Sequence, residues 1–323
     1  MLLAATMSAP PAARCQGDEY APPRAVVAEN PRQRQPSIFH RAACATAEEQ
    51  MTYVGDLLAQ GRTGTAMRAS LAVVYTWHDS IQAPKAQLTY AKLLYQTGHY
   101  RAAFDEFQYL NDFYQGLFPF DEVADFQFRI ANHIRTEEHG GFLFLPSYTS
   151  SEKALPLFEQ LLKNAPQAKH ADEAQFHVGT IHEERKEYEE AVLAYEALRH
   201  KYPKSEFLAE ADFRKARAQL AIARSMPRDE QSYRTAIAAL SAFLRDHPAH
   251  AGAGEIRAGV DDLKDGLAKM YYDRALFYDR TGEKPRSAII AYKDFLNNFP
   301  ASPHAEAVRL RIGELEKGMG ASE

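Results

Sequence analysis

Cysteine is scarce: Cys15 and Cys44 are the only two in 323 residues. Two thiols cannot build a disulfide scaffold or a four-thiolate zinc site. A long apolar run is missing as well. The longest uncharged apolar-leaning stretch, Met1 to Ala13, falls short of the ~20 residues that cross a bilayer, so no transmembrane helix is expected. Nor is there an excess of positive charge. Lys and Arg number 38 against 43 Asp and Glu, a net charge of −5, which argues against a general nucleic-acid coat. Phosphate-cradling glycine loops, a G-x-S-x-G elbow and H-E-x-x-H are also lacking. The segment His182-Glu183-Glu184-Arg185-Lys186 has no second histidine. What is present is ordinary for a folded chain: 46% hydrophobic, 25% charged and 11% aromatic residues. Such a length admits two domains or one elongated array.

The first 45 residues stand apart. Six of the 17 prolines lie before residue 37, and no helical or strand period survives there. We assign residues 1–45 to a signal-like or disordered leader. Its opening, a short apolar run followed by small residues and Cys15, is similar to a bacterial lipoprotein signal, with Cys15 as the candidate lipid attachment. Arg14 stands where a small residue is expected, and no basic residue precedes Leu2.

From about residue 46 apolar residues recur at helical spacing, with almost no period-2 runs. Four segments share one frame, each with an alanine twelve residues before a proline: Ala154–Pro166, Ala191–Pro203, Ala236–Pro248 and Ala288–Pro300. Four residues after each alanine stands a large apolar residue: Phe158, Tyr195, Leu240 and Tyr292. Seven after it comes Leu161, Leu198, Phe243 or Phe295. Ala103, Phe107 and Leu110 fit the same frame. These positions share one helix face, the alanine permits close approach of a preceding helix, and the proline ends the segment. Small residues also stand in the partner helices: Gly179 twelve residues before Ala191, and Ala91 twelve before Ala103. The pattern resembles the tetratricopeptide repeat, a helix–turn–helix unit, and residues 172–205 match its 34-residue length. The expected fold is all-α, a right-handed solenoid of antiparallel helix pairs with a concave face. Thirteen helices are expected, with N-terminal repeats over 46–150 that carry an apolar insert near 140–149, C-terminal repeats over 151–318, and a tail at 319–323.

The C-terminal half is more particular. Leu263, Lys264, Asp265, Leu267, Ala268, Tyr272, Ala275 and Tyr278 fill the pattern LKDxLAxxEYxxAxFY ahead of the last repeat, with Arg280 two residues on, and two repeats close on Pro203-Lys204-Ser205 and Pro300-Ala301-Ser302. Over roughly residues 165–318 the chain resembles the BamD/ComL family of outer-membrane assembly lipoproteins. That resemblance implies a non-catalytic adaptor without cofactors, anchored by lipid and facing the periplasm. It further implies docking of the β-barrel assembly protein's periplasmic domains on the C-terminal repeats, with other assembly lipoproteins and unfolded outer-membrane protein segments as further partners. Alternatives are another cell-envelope adaptor, coordinating division with peptidoglycan synthesis, and a cytoplasmic repeat co-chaperone. The co-chaperone clamp needs clustered Lys, Arg and Asn on successive first helices, and none assembles here.

Histidines and acid pairs give no metal-ligand spacing; His177 and His182 point to different helix faces. Three sets of residues are candidate contacts instead. Leu88, Lys92 and Tyr95 of one repeat, and Phe176 and Glu183 of another, are placed on the groove face. Phe142, Phe144 and Tyr148 crowd the Gly/Pro-bounded insert. Lys264, Lys269, Arg274 and Arg280 run along the long C-terminal helix, interleaved with aromatic residues as in a moderately polar interface.

Overall fold

The computed structural model describes residues 33–37, 40–137, 150–280 and 285–320. Among the described residues there are thirteen α-helices and no strand. They are α1 (Ala47–Ala59), α2 (Thr63–Thr76), α3 (Ala83–Gln96), α4 (Tyr100–Phe113), α5 (Phe120–Thr136), α6 (Ser150–Asn164), α7 (Ala171–Glu184), α8 (Tyr188–Lys201), α9 (Leu208–Ser225), α10 (Glu230–Asp246), α11 (Ala253–Arg280), α12 (Pro285–Asn298) and α13 (Ala305–Gly320). They form two compact units, residues 1–134 and 135–323. In unit 1 each of α1 to α3 packs on its successor in the chain, and in unit 2 each of α6 to α12 does.

The repeat frame explains both the ends and the crossings of the helices. Helices α6, α8, α10 and α12 each stop two residues before the repeat proline. The residue after each helix still donates to the fourth residue back: Ala165 to Leu161, Tyr202 to Leu198, His247 to Phe243 and Phe299 to Phe295, at 2.8–2.9 Å. Proline then forbids another turn. Helix starts are locally encoded too. Thr46 and Glu49 form a reciprocal capping box on α1, and Asp229 accepts from the Gln231 and Ser232 amides of α10 at 3.2 Å.

The frame alanines Ala103, Ala154, Ala191, Ala236 and Ala288 are all fully buried. So are Phe107, Phe158 and Leu240 at the next frame position, with Tyr195 and Tyr292 nearly so. In the pair α7–α8, a Cβ built on Gly179 would collide with the Tyr195 ring. Only a hydrogen at that position lets the tyrosine lie flat across the crossing. Burying large aromatic side chains is worth ~1.5–3 kcal/mol each, which is where these pairs gain their stability.

A second periodic feature is polar. Gln50, Gln87 and Gln175 are buried in the first helices of their pairs. Each donates through Nε2 to a backbone carbonyl nineteen residues on: Ala69 at 3.2 Å, Glu106 at 2.9 Å and Ala194 at 3.1 Å. The bond satisfies a side-chain amide that burial would otherwise penalise, and it ties the two helices of a pair in register.

Residues 33–37 and 40–45, within the stretch assigned to a leader, carry no helix. They nevertheless lie against unit 1 through specific polar contacts. The Ala43 and Cys44 amides donate to Gln50 Oε1 at 2.9 and 3.0 Å, and the His40 ring stacks on Tyr75 at 4.1 Å. Composition gives no sign of this, because the attachment is polar and aromatic rather than a hydrophobic period.

Candidate partner-binding surfaces

In unit 2 the long helix α11 and its successor α12 enclose an open groove of about 660 Å³, lined by Arg274, Tyr278, Ile290 and Asp294 among others. Its wall mixes charged and polar groups with Tyr278 and Ile290, which are 38% and 69% exposed, and Phe277 beside it on α11 is 63% exposed. A ring of charge surrounds them. Arg274 reaches Asp294 across the groove at 2.9 Å and lies 4.3 Å over the Tyr271 ring. Lys269 pairs with Asp273 one turn away on α11 at 2.5 Å. Lys264 and Arg280 are exposed on the same helix. Four expected contacts therefore lie on α11, with Arg274 lining the groove itself. Of the accompanying aromatics, Tyr271 is buried in the core and Tyr272 stacks on His304 at 4.3 Å. Phe277 and Tyr278 are exposed, their rings meeting edge-on at 5.7 Å.

The α7–α8 region resolves differently. Phe176 is buried, stacked on Phe207 at 5.2 Å and covered by Arg214 at 5.8 Å, so it is packing material. Glu183 accepts the Tyr195 hydroxyl at 3.0 Å and the Arg214 guanidinium at 3.2 Å. The same clip recurs in the last repeat: Asp279 accepts Tyr292 Oη and Arg311 Nε, both at 2.9 Å. In each case the acid is on the first helix, the tyrosine on the second and the arginine on the helix that follows. Bonds from Arg311 hold the Asp279 carboxyl below its usual range, while burial raises the Tyr195 phenol. Glu183 thus links one repeat to the next.

A third tie joins α8, α9 and the end of α10. Asp212 is buried, which raises a carboxyl pKa, yet bonds from Arg199 and His247 outweigh burial and hold it below the ordinary value. These acid-centred ties carry no period visible in hydropathy, and sequence reading missed them. The signal was nevertheless there: Tyr195 to Arg214 and Tyr292 to Arg311 have the same nineteen-residue spacing.

In unit 1, Leu88, Lys92 and Tyr95 are half-buried along α3. Lys92 pairs with Glu122 of α5 at 2.7 Å, and Tyr95 meets Phe126 edge-on at 5.1 Å. These two fasten α3 to α5. Cys15, Phe142, Phe144 and Tyr148 lie outside the described residues.

Among the described residues, no group of three or more His, Cys, Asp or Glu is placed to hold a metal ion. No described helix is long and apolar enough to cross a membrane.

Solved structures with helical repeats are similar at low identity. A tetratricopeptide repeat protein from Parabacteroides merdae is 14% identical, covering 83% of this chain and 98% of that one, with a TM-score of 0.31. The C-terminal part of a repeat-containing protein from Cytophaga hutchinsonii is also 14% identical, covering 81% and 87%, with a TM-score of 0.31. The TPR2AB domain of yeast Sti1 is 13% identical, covering 83% and 96%, with a TM-score of 0.27. No curated protein matches the chain. Residues 146–322, more than half of the chain and all of the α11–α12 groove, match the model of the BamD-like family YfiO, outer membrane lipoprotein, and the chain belongs to that family.

Proposed function

We propose that this protein is a periplasmic scaffold at the outer membrane that holds the soluble domains of the β-barrel assembly protein, with binding rather than catalysis as its mechanism. The observation that carries the reading is the α11–α12 groove, within the family-matched residues. It combines exposed Tyr278 and Ile290 with the charges of Arg274 and Asp294, and exposed Phe277 and Lys269 stand on the same helix α11. Exposed aromatic and aliphatic anchors inside a polar rim are what a specific interface uses; isolated solvated helices need none of them. In this reading Cys15 carries the lipid, and the other assembly lipoproteins and unfolded outer-membrane segments bind elsewhere on the repeats.

Affinity capture from a membrane extract tests the reading. Full-length wild-type chain is expected to bring down the β-barrel assembly protein. Lys269→Glu with Arg280→Glu reverses two exposed charges of α11. Stability should change by no more than ~0.5 kcal/mol, since both are surface substitutions, while capture weakens clearly. Undiminished capture by a folded double variant removes the α11 docking assignment.

A further inference from the structure

Unit 1 contains a polar site that the scaffold reading does not use, and its occupant is part of the chain itself. Arg34 lies before the first helix, yet its guanidinium is enclosed by three helical-pair elements. Nη2 meets both oxygens of Glu106, on α4, at 2.6 and 2.7 Å. Nη1 donates to Gln87 Oε1, on α3, at 2.8 Å. The guanidinium carbon lies 4.5 Å over the Tyr109 ring and 5.6 Å from the Tyr75 ring. The backbone is read too: the Arg34 amide donates to the Tyr109 hydroxyl at 2.9 Å. One residue earlier, Gln33 meets His78 Nδ1 at 3.0 Å, and His78 Nε2 meets the Tyr109 hydroxyl at 2.9 Å.

The groups around Arg34 also hold one another. Gln87 is fully buried, and its Nε2 is committed to the Glu106 carbonyl at 2.9 Å and the Glu106 carboxylate at 2.6 Å. Its Oε1 is therefore turned outward as an acceptor. The Glu106 side chain is only 15% exposed. A planar fork is what matches a carboxylate, an amide oxygen and an aromatic face at once; an ammonium satisfies one of them at a time. Gln35 precedes Pro36, which biases this residue toward extended backbone, so the stretch enters as a peptide would.

We propose that Gln87, Glu106, Tyr109 and Tyr75 form a recognition slot for an arginine presented on an extended peptide segment, and that Arg34 fills the slot in cis as an exchangeable occupant. The inference stands apart from the α11–α12 reading and does not depend on it. A tethered occupant acts at an effective concentration in the ~mM range, so a partner's arginine enters only when Arg34 is outcompeted or withdrawn. The slot is then gated by the chain's own segment.

A labelled peptide, Gln-Arg-Gln-Pro-Ser, titrated by anisotropy against full-length chains tests this. Arg34→Ala should bind it at least tenfold more tightly than wild type, whose slot is filled. The lysine version of the peptide should bind Arg34→Ala at least tenfold more weakly. Glu106→Gln added to Arg34→Ala should abolish binding. Should Arg34→Ala lose its helical spectrum, Arg34→Lys keeps the segment charged, and the arginine peptide should still bind it more tightly than wild type. Absence of binding to whichever variant is folded overturns the proposal. Equal binding of arginine and lysine peptides, or equal binding to wild type and the vacated variant, overturns it as well.

Discussion

At the scale of the residue, two positions depart from what their surroundings favour. The turns after α1 and α3 pass through Gly61 and Gly98 with φ of 70° and 80°. The turn after α7 has the same hydrogen-bond pattern, but Lys186 stands at that point with φ 61°. A side chain there crowds the following carbonyl, at a cost of roughly 1–2 kcal/mol. Lys186→Gly should therefore raise stability by about 0.5–1 kcal/mol, measured by thermal or urea unfolding, the flexibility of glycine in the unfolded chain taking back part of the gain. His177 is the other case. It is buried between Phe158 and Phe176, and Nε2 has no hydrogen-bond partner, with Glu173 Oε1 at 3.6 Å. Burial lowers its pKa from 6.5 to about 4. Between those values the unfolded chain binds the proton and the folded chain does not. Stability is thus complete above pH 6.5, falls as the pH drops, and the loss is full below about pH 4. The loss should be of the order of 1–3 kcal/mol. Unfolding curves at pH 7 and pH 4.5 check it: His177→Leu should shrink the difference between them.

At the scale of the element, the helix pairs rest on a few interlocked positions, and these were legible. The spacing of alanine, large apolar residue and proline placed the second helices of the repeats close to where they stand, because each of those residues does one physical job wherever the frame recurs, and the helical period of apolar residues placed the others. Ala236→Leu adds volume to a fully buried crossing and should cost ~1–3 kcal/mol. Gly179→Ala gains up to ~1 kcal/mol in helix propensity but drives a methyl into the Tyr195 ring, so a net loss is expected. Tolerance of both substitutions, with melting unchanged, would contradict the packing described here. What the hydropathy period did not reveal is the polar stitching. The buried glutamines depend on hydrogen bonds between residues nineteen apart, and the acid–tyrosine–arginine clips on bonds between residues 12 to 32 apart; polar residues at such separations look like solvated surface in a linear reading. Glu183 and Lys92 show the consequence. Both were read as groove contacts, and both are engaged with neighbouring helices. Phe176, an aromatic at helical spacing, went into the core for the same reason that Phe158 did.

At the scale of the whole molecule, the α11–α12 surface is where sequence and structure give the same emphasis. The motif around Leu263 to Arg280 carried the family resemblance, and the same helix bears the exposed aromatics and the charged rim. The groove wall itself was not foreseen, since Ile290 belongs to an ordinary repeat helix. Its exposure is informative because the repeat provides its own control. Leu193 holds the equivalent position on α8, two residues after the frame alanine, and is 65% exposed against 69% for Ile290. Exposed apolar area alone therefore does not distinguish them; the bordering groove does. The most direct measurement is a titration of full-length wild-type, Ile290→Asp and Leu193→Asp chains with the purified periplasmic domains of the β-barrel assembly protein. The account predicts that Ile290→Asp weakens binding at least tenfold, about 1.4 kcal/mol or more, while Leu193→Asp stays within threefold of wild type. Equal affinity for all three chains, or no binding by wild type, would contradict it.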